Sequence, residues 1–425
     1  MATSGGREAL NWRRNLYLMI FIQGIVTSSF QLVNPVLPLF VGELGVTDPA
    51  ALARWAGLLP GINALFTAVF SPLWGGLADR YGRKPMVVRT TASVALFSGL
   101  TALVVSPYQI LALRILMGCF SGFSAAALAL IASNTPREHL GFALGWLQTG
   151  QTVGMVVGPF LGGLLADIVS YRGVFVVASV MAALGGLLTV LGIKEQFQKP
   201  EPPVRNPRSG GQIIGRRQFT SALTRHWQRL KSWPTNIWVL FVVILLSQFA
   251  TRSVEPIVPL YVQAMAGSAT ESVASLSGLV VGIMGVAQVM AVAYLGRRMV
   301  LFGYKKVIWV CLVGAALTYV PQALVSNVWH LAALRFIQGL FLGGLLPAAN
   351  TLIGYQVSPE QRGRVYGFTS SAFFLGNFAG PLFGGLLAAW LGISAVFYAS
   401  AGLVLINALW VTREVQEPAR VLSPK

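Results

Sequence analysis

The sequence contains few of the residues on which enzymes and metal proteins depend for their chemistry. Its 425 residues include two cysteines, three histidines and 13 acidic side chains. Cys119 and Cys311 lie in separate apolar runs, so neither a disulfide framework nor a metal-binding spacing is indicated. The histidines form no cluster, and no Gly-x4-Gly-Lys-[Ser/Thr] loop is present to bind a nucleotide. We therefore expect no enzyme activity and no cofactor.

Charged residues are also scarce. They make up 10% of the chain, whereas a soluble fold has roughly a quarter, and hydrophobic residues make up 55%. The apolar residues occur in long runs such as 16–41 and 237–250. These runs are at or near the ~20 residues that a helix needs to cross a bilayer. Because helices satisfy their main-chain hydrogen bonds internally, the sequence predicts an all-α, multi-pass membrane protein.

The basic residues are unevenly distributed along the chain. A formal net charge of +18 would ordinarily raise nucleic acid as a partner. If twelve helices follow a cytoplasmic N-terminus, however, 26 of the 31 Lys and Arg residues fall in cytoplasmic loops and tails. This positive-inside asymmetry predicts that both termini are cytoplasmic. The excess charge then indicates contact with anionic lipid headgroups and not with nucleic acid.

Loops rich in glycine, proline and charge divide the chain into twelve apolar segments. The first six are predicted at 15–43, 50–78, 84–105, 107–134, 139–169 and 171–193. The other six are predicted at 236–266, 270–297, 303–325, 327–357, 360–391 and 393–412. We therefore expect an N-terminal six-helix bundle in 1–193 and a C-terminal six-helix bundle in 236–425.

The polar stretch 194–235 joins the two bundles on the predicted cytoplasmic side. It begins rich in proline, and then Phe219, Leu223, Trp227 and Leu230 recur at helical spacing among basic residues. This pattern suits an amphipathic helix that lies on the membrane surface. A disordered basic linker fits the same composition equally well.

The two halves contain the same sequence motifs at a nearly constant offset. The pair Pro35-x-x-Pro38 recurs as Pro256-x-x-Pro259, a shift of 221 residues. Arg114 and Gly118 recur as Arg335 and Gly339 with the same shift, and the glycine pattern of 145–163 recurs at 367–385. Six segments per half give both halves the same orientation, so a pseudo-two-fold axis along the membrane normal relates them. Transporters built in this way have their substrate site between the halves.

The loop after the second segment reads Gly-Gly-Leu-Ala-Asp-Arg-Tyr-Gly-Arg-Lys-Pro, from Gly75 to Pro85. It resembles the signature loop of the major facilitator superfamily over its full length. In that family the Asp holds the cytoplasmic gate shut at the N-terminus of a helix in the other half, which by resemblance begins near Glu360 here. The resemblance implies a gate made of Gly75, Asp79, Arg80, Gly82, Arg83 and Lys84. A glycine turn with solvated charges is the alternative.

The fifth segment carries the pattern Gly-x8-Gly-x3-Gly-Pro-x2-Gly-Gly. It resembles the antiporter signature of the twelve-helix drug:proton antiporter family, and its members are Gly145, Gly154, Gly158, Pro159, Gly162 and Gly163. Glycines four residues apart leave a groove for another helix, and Pro159 should bend its own helix. We expect this face to close the outer end of the molecule, so that Gly158→Leu holds the closing helices apart. Glycine spacing alone would indicate only a packing surface.

Four charged residues lie inside apolar segments, where a charge is costly and marks a functional site. They are Arg114, Arg252, Glu255 and Arg335. Arg114 resembles the Arg of the family's Arg-x-x-Gln-Gly motif, although Met117 replaces the Gln; bonding to helix carbonyls is the alternative role. Glu255 is the one acid that we place well inside a segment. We assign proton coupling to Glu255, together with Arg114 and with Arg252 on the same helical face. A static Arg252–Glu255 ion pair is the competing interpretation.

The resemblance covers nearly the whole chain and is greatest to bacterial multidrug efflux pumps that expel quinolones and cationic dyes. It implies a monomeric antiporter of the bacterial cell membrane that exports amphipathic molecules in exchange for protons, with no cofactor besides the coupling ion. A flippase for lipid-linked or lysolipid cargo on the same scaffold is one alternative. A membrane sensor that binds ligand without transporting it is another.

The substrate cavity should be lined by large or polar side chains that face the other half. The candidates are Gln31, Asn34, Asn63, Phe123, Phe249, Met284, Gln288, Phe341, Asn350 and Phe374. For each aromatic side chain taken singly, packing in the core or against lipid is the alternative role.

Overall fold

The computed structural model describes residues 4–195, 234–266, 272–295, 298–357 and 362–417. These residues are mostly helical, and no strand occurs among them. The surface helix expected in 194–235 falls on 196–233 and so lies outside the described residues, as does Glu360. An all-α fold is confirmed for the part of the chain that the structure describes.

The first half contains two broken segments and four continuous ones. Its helices are α1 (Ser4–Leu32), α2 (Leu37–Glu43), α3 (Pro49–Tyr81), α4 (Lys84–Thr101), α5 (Pro107–Cys119), α6 (Phe123–Asn134), α7 (Leu140–Ile168) and α8 (Tyr171–Gly192). The break between α1 and α2 contains Pro35, which cannot donate to the helix ladder. The break between α5 and α6 contains Gly122, whose positive φ of 119° favours glycine.

The second half repeats this arrangement. Its helices are α9 (Thr235–Val254), α10 (Val258–Ala266), α11 (Val273–Leu295), α12 (Met299–Phe302), α13 (Tyr304–Gln322), α14 (Val328–Gly343), α15 (Leu345–Gln356), α16 (Arg362–Leu391) and α17 (Ile393–Glu414). A 3-10 turn over Glu255–Ile257 separates α9 from α10, and Gly344 separates α14 from α15. The second half therefore repeats the first in the positions of its helix breaks as well as in its sequence motifs.

Ten of the described helical segments are long and apolar enough to cross a membrane. The two shorter segments α4 and α13, which have 18 and 19 residues, are not among them. In α4, Lys84 and Arg89 lower the hydropathy most. Buried Thr90 and Thr91 of the same helix donate hydrogen bonds to carbonyls one turn earlier. The multi-pass helical architecture is thus confirmed, while the count of twelve crossings stays a prediction.

The two halves meet along two helix pairs, α3 with α16 and α7 with α11. In each pair the backbones approach through facing glycines. A Cβ added to Gly385 would lie 2.9 Å from the Cα of Gly57, and one added to Gly163 would lie 3.0 Å from the Cα of Gly278. Only glycine permits two helix backbones to come this close. We call these two contacts the glycine crossings.

Both crossings lie at one end of the molecule, which we call the closed end. The opposite end carries residues 75–84 and is called the signature end. There, a Cβ added to Gly75 or Gly76 in α3, or to Gly145 in α7, would meet no heavy atom of the described residues within 4 Å. In the described part of the chain, the halves therefore touch at the closed end and separate toward the signature end.

The antiporter-type glycines have a different partner from the one expected from sequence. An added Cβ at Gly154 or Gly158 would collide with α1 of the same half, 2.7 Å from the carbonyl oxygen of Gly24 and 2.6 Å from the Cβ of Gln31, respectively. Gly162 faces Leu32 of α1 in the same way, and Gly145 faces open space. In this conformation only Pro159 and Gly163 of the pattern contact the other half within the described residues, so the expected role of Gly158 in closing the outer end stays a prediction.

A substitution at Gly163, in the glycine crossing, should therefore act differently from one at a glycine of α7 that does not contact the other half. Gly163→Leu is expected to push α7 and α11 apart at the closed end, because even its Cβ would lie 3.0 Å from the carbonyl carbon of Ala274. The distance between spin labels at Val105→Cys and Ser326→Cys, in a background without native cysteines, should increase. Gly145→Leu is the matched control and should leave this distance unchanged. An unaltered distance in a folded Gly163→Leu variant would contradict the role of the crossing.

Candidate functional site

A cavity of about 360 Å³ lies between the halves, directly beneath the glycine crossings. Its walls come from the broken helices of both halves and from α3, α7, α11 and α16. Most of the lining is apolar, with a few amide and charged side chains, as in sites that bind amphipathic molecules. The cavity therefore occupies the position between the halves that the internal repeat predicts.

Five of the ten predicted cavity residues line this space. They are Gln31, Asn34, Asn63, Phe123 and Phe374. The Nδ2 of Asn34 donates to the Oε1 of Gln31 at 3.0 Å, across the proline break that ends α1. The Nδ2 of Asn63 donates to the carbonyl of Arg114 at 3.0 Å and so ties α3 to α5. The amides are thus positioned by contacts within the first half.

The other five predicted cavity residues do not line the central cavity. Phe249 packs its ring on Phe383 at 5.1 Å, and Asn350 is exposed. Phe341 lines a separate apolar cavity of about 620 Å³ among α11, α13 and α14. Met284 and Gln288 are on the side of α11 that packs against α14, where their main chains face Gly339 and Gly343. These placements differ from the predictions because the spacing of residues does not fix how a helix is rotated about its axis.

Two amide side chains of the cavity wall were not among the predictions. Gln151 of α7 and Asn377 of α16 both line it, and the Oδ1 of Asn377 is buried with no hydrogen-bond partner in the described residues. Asn377 follows Phe374 by three residues, so the same helical face already indicated it. An unsatisfied buried amide oxygen is an acceptor that a cargo or a water molecule can use.

Arg114 contributes a positive charge to the cavity wall. Its side chain is 6% exposed, and within the described residues its guanidinium has no acidic partner and no hydrogen bond. The interpretation in which this side chain bonds to helix carbonyls finds no support in the described contacts. Its counterpart Arg335 is 3% exposed, approaches the Sδ of Met284 at 3.5 Å and does not line the cavity. The two halves are therefore chemically unequal despite the repeat.

Arg252 and Glu255 face the same cavity from the second half. They form an ion pair three residues apart, and each side chain is about a quarter exposed. Arg252 lies in the last turn of α9, where the helix dipole favours a cation, and Glu255 begins the 3-10 turn that contains Pro256. The ion pair of the competing interpretation is present in this conformation, the coupling role stays a prediction, and the structure brings both residues to the cavity that Arg114 lines.

The signature loop is held to its own half. Gly82 ends α3 with a φ of +96°, Arg83 donates to the carbonyl of Ala129 at 3.0 Å, and the Nζ of Lys84 donates to the carbonyls of Val190 and Ile193 at 2.9 and 2.7 Å. Arg80 is exposed over the ring of Tyr81. The side chain of Asp79 lies outside the described residues. The predicted contact between the halves at this gate therefore stays a prediction.

Two glutamates that the sequence did not single out anchor this end of each bundle. Glu195 accepts hydrogen bonds from the main-chain N–H groups of Arg83 and Lys84 at 2.7 and 2.9 Å, and so caps α4. Glu417 accepts from the N–H of Lys305 at 2.7 Å at the start of α13. Each glutamate follows the last long helix of its half, 222 residues apart. This repeat is the feature of the sequence that could have identified both glutamates.

Comparisons with known proteins agree with this architecture. The family model described as Major Facilitator Superfamily matches residues 19–300 and 266–425. The multidrug resistance protein MdtG of Salmonella arizonae is 38% identical over 410 residues, which cover 96% of each chain. MdtG of Citrobacter koseri is 38% identical over 419 residues, which cover 98% of each chain.

Solved structures show the same fold at lower sequence identity. A bacterial homologue of the human lysosomal transporter Spinster, in an inward-facing and unoccupied conformation, has a TM-score of 0.73 at 16% identity and covers 98% of this chain and 99% of its own. The nucleoside transporter NupG has a TM-score of 0.69 at 13% identity, covering 96% of this chain and 100% of its own. The chain therefore belongs to the Major Facilitator Superfamily, and it is a multi-pass membrane transporter and not an enzyme.

Proposed function

We propose that this chain is a proton-coupled antiporter that exports amphipathic, drug-like molecules, cations among them, by alternating access. The observation that carries the proposal is the mostly apolar cavity between the halves, closed at one end, with Arg114, Arg252 and Glu255 in its wall. The name of the MdtG relatives, multidrug resistance protein, supports drugs as the cargo.

The orientation of the protein in the membrane follows from the charge asymmetry of the loops. Under the positive-inside rule the signature end and both termini face the cytoplasm, in the inner membrane of a bacterium. The separation of the halves at the signature end then corresponds to a cavity that receives cargo from the cytoplasm. Export requires that the glycine crossings part while the signature end closes.

Proton exchange is assigned to Glu255. In this conformation its carboxylate pairs with Arg252, so neither charge is left alone in apolar surroundings. A cationic cargo can take the place of Arg252 beside the carboxylate, and a proton can neutralise it, so cargo and proton compete for one group. When Glu255 is protonated, Arg114 and Arg252 leave the cavity positive and repel a cationic cargo. This mutual exclusion is the physical basis of exchange.

The coupling role is tested with Glu255→Gln. We expect pH-driven accumulation of a monovalent cationic dye in everted vesicles to fall roughly tenfold or more, because the charge-assisted contacts of the carboxylate are lost. Binding of the cationic dye should weaken, because Arg114 and Arg252 repel a cation when residue 255 is neutral, whereas an uncharged amphipathic molecule should still bind. Accumulation at the wild-type rate would move coupling to another acid.

Two controls accompany this variant. The double variant Arg252→Gln/Glu255→Gln removes both charges, so its loss of accumulation cannot come from an unpaired buried Arg252. Glu43→Gln changes an exposed acid at the closed end and should transport normally. The same vesicles distinguish the alternative functions, since a flippase would move lipid and a sensor would move nothing.

The gate at the signature end is tested with Asp79→Asn. By resemblance to the family, Asp79 holds this end shut in the outward-open state, through a charge-assisted contact of about 1.5–3 kcal/mol. Its loss should shift the two-state equilibrium by roughly tenfold or more toward the conformation described here. Spin labels at the signature ends of α3 and α16 would measure this shift. Glu138→Gln, an exposed acid at the same end, should have no effect.

A further inference from the structure

A hydrogen bond between the halves lies beside one glycine crossing at the closed end. Asp167 is the penultimate residue of α7, and its Oδ2 accepts from the main-chain N–H of Ser275 in the first turn of α11 at 2.8 Å. The hydroxyl of Ser275 donates to the carbonyl of Gly163 at 3.4 Å. One half thus supplies a carboxylate and the other supplies a helix N-terminus.

The chemistry of this contact favours a negatively charged partner. The first four N–H groups of a helix have no acceptor within the helix, and the N-terminus carries a partial positive charge. α11 begins at Val273, so the N–H of Ser275 is one of these free donors. Asp167 therefore acts as a helix cap that comes from the opposite half of the molecule. Separation of α7 from α11 breaks this bond.

Among the described residues, the other crossing has no equivalent bond. After the crossing glycines both halves read Gly-Gly-Leu-Leu-Ala, and then α7 has Asp167 while α16 has Ala389. The N-terminus of α3 is capped by Asp48 within its own segment, through the N–H groups of Ala50 and Ala51 at 3.3 and 2.9 Å. Of the two helix pairs that join the halves at the closed end, only α7 and α11 have, within the described residues, a helix cap supplied by the opposite half.

We propose that Asp167 is a latch that holds the outer end of the transporter shut until the outward-open state forms. The proposal rests on the proposed function only for the side of the membrane that this end faces. By resemblance, Asp79 makes the same kind of contact at the signature end in the opposite state. The two acids then stabilise opposite conformations of one two-state equilibrium.

The latch is tested by the population of closed and open outer ends. In purified protein labelled at Val105→Cys and Ser326→Cys, Asp167→Ala should raise the ratio of open to closed outer ends roughly three- to tenfold. This range reflects one charge-assisted hydrogen bond discounted for the exposure of Asp167. Asp167→Asn keeps an acceptor without the charge and should give a smaller shift. A wild-type distance distribution in Asp167→Ala would overturn the proposal.

Two matched controls separate the latch from ordinary helix capping. Asp48→Ala removes a carboxylate cap of the same chemistry at the same end, but one within its own half, and should not change the ratio. Ser275→Ala removes the hydroxyl and keeps the N–H that Asp167 binds, so it should also match wild type. A shift in Asp48→Ala equal to that in Asp167→Ala would show that helix stability alone explains the effect, and would overturn the latch.

The double variant Asp79→Asn/Asp167→Ala gives an independent check. If the two acids hold opposite ends, their effects have opposite signs, and the double variant should return toward the wild-type ratio. Equal signs would contradict the latch. The readout requires neither cargo nor a pH gradient. A failure of dye export would therefore refute the proposed function without contradicting the latch. An unshifted ratio of open to closed outer ends would refute the latch without contradicting the proposed function.

Discussion

The close contact of helix backbones at the two glycine crossings is the constraint on which the rest of this structure depends. Gly57 with Gly385 and Gly163 with Gly278 allow the halves to meet without intervening side chains. Such an interface is held by many weak dispersion contacts, and beside the crossings Phe160 packs on Gly282 and Leu382 packs on Gly61. It is therefore tight enough to exclude cargo and can still separate as two rigid bodies.

The cavity beneath the crossings combines charges from both halves in one apolar space. Arg114 belongs to the first half, whereas the Arg252–Glu255 pair belongs to the second. Because the pair is neutral as a unit, the cavity carries the single positive charge of Arg114 in this state. A change in the protonation or pairing of Glu255 therefore changes how strongly the whole cavity attracts or repels a charged cargo, and not only one contact.

The sequence was most informative where it repeats. The long apolar segments and their division into two bundles were predicted, because runs of apolar residues act locally. Neither the helix breaks near Pro35 and Pro256 nor the partners of the glycines were predicted. Gly158 and Gly163 are five residues apart, which turns them about 140° from each other around α7, so one faces α1 and the other α11.

The same limit explains the errors in the cavity. Met284 and Phe341 are large residues at suitable depths, but the rotation of α11 and α14 directs them into the second bundle. Rotation depends on the packing of all neighbouring helices, which one sequence does not specify. Glu195 and Glu417 were passed over for a different reason: they follow the apolar segments, and their caps appear only once the chain is folded.

The two crossings are otherwise similar, but within the described residues only one of them has a charged hydrogen bond between the halves. The closed end is therefore not equally strong at both crossings. In the part of the chain that the structure describes, the pair α3 and α16 is joined without a cross-half cap, whereas α7 and α11 carry the bond from Asp167 to Ser275. The two pairs therefore resist separation unequally. We expect the α3–α16 pair to separate first and the α7–α11 pair to follow when the bond of Asp167 breaks, so that the outer end begins to open on the side of α3 and α16.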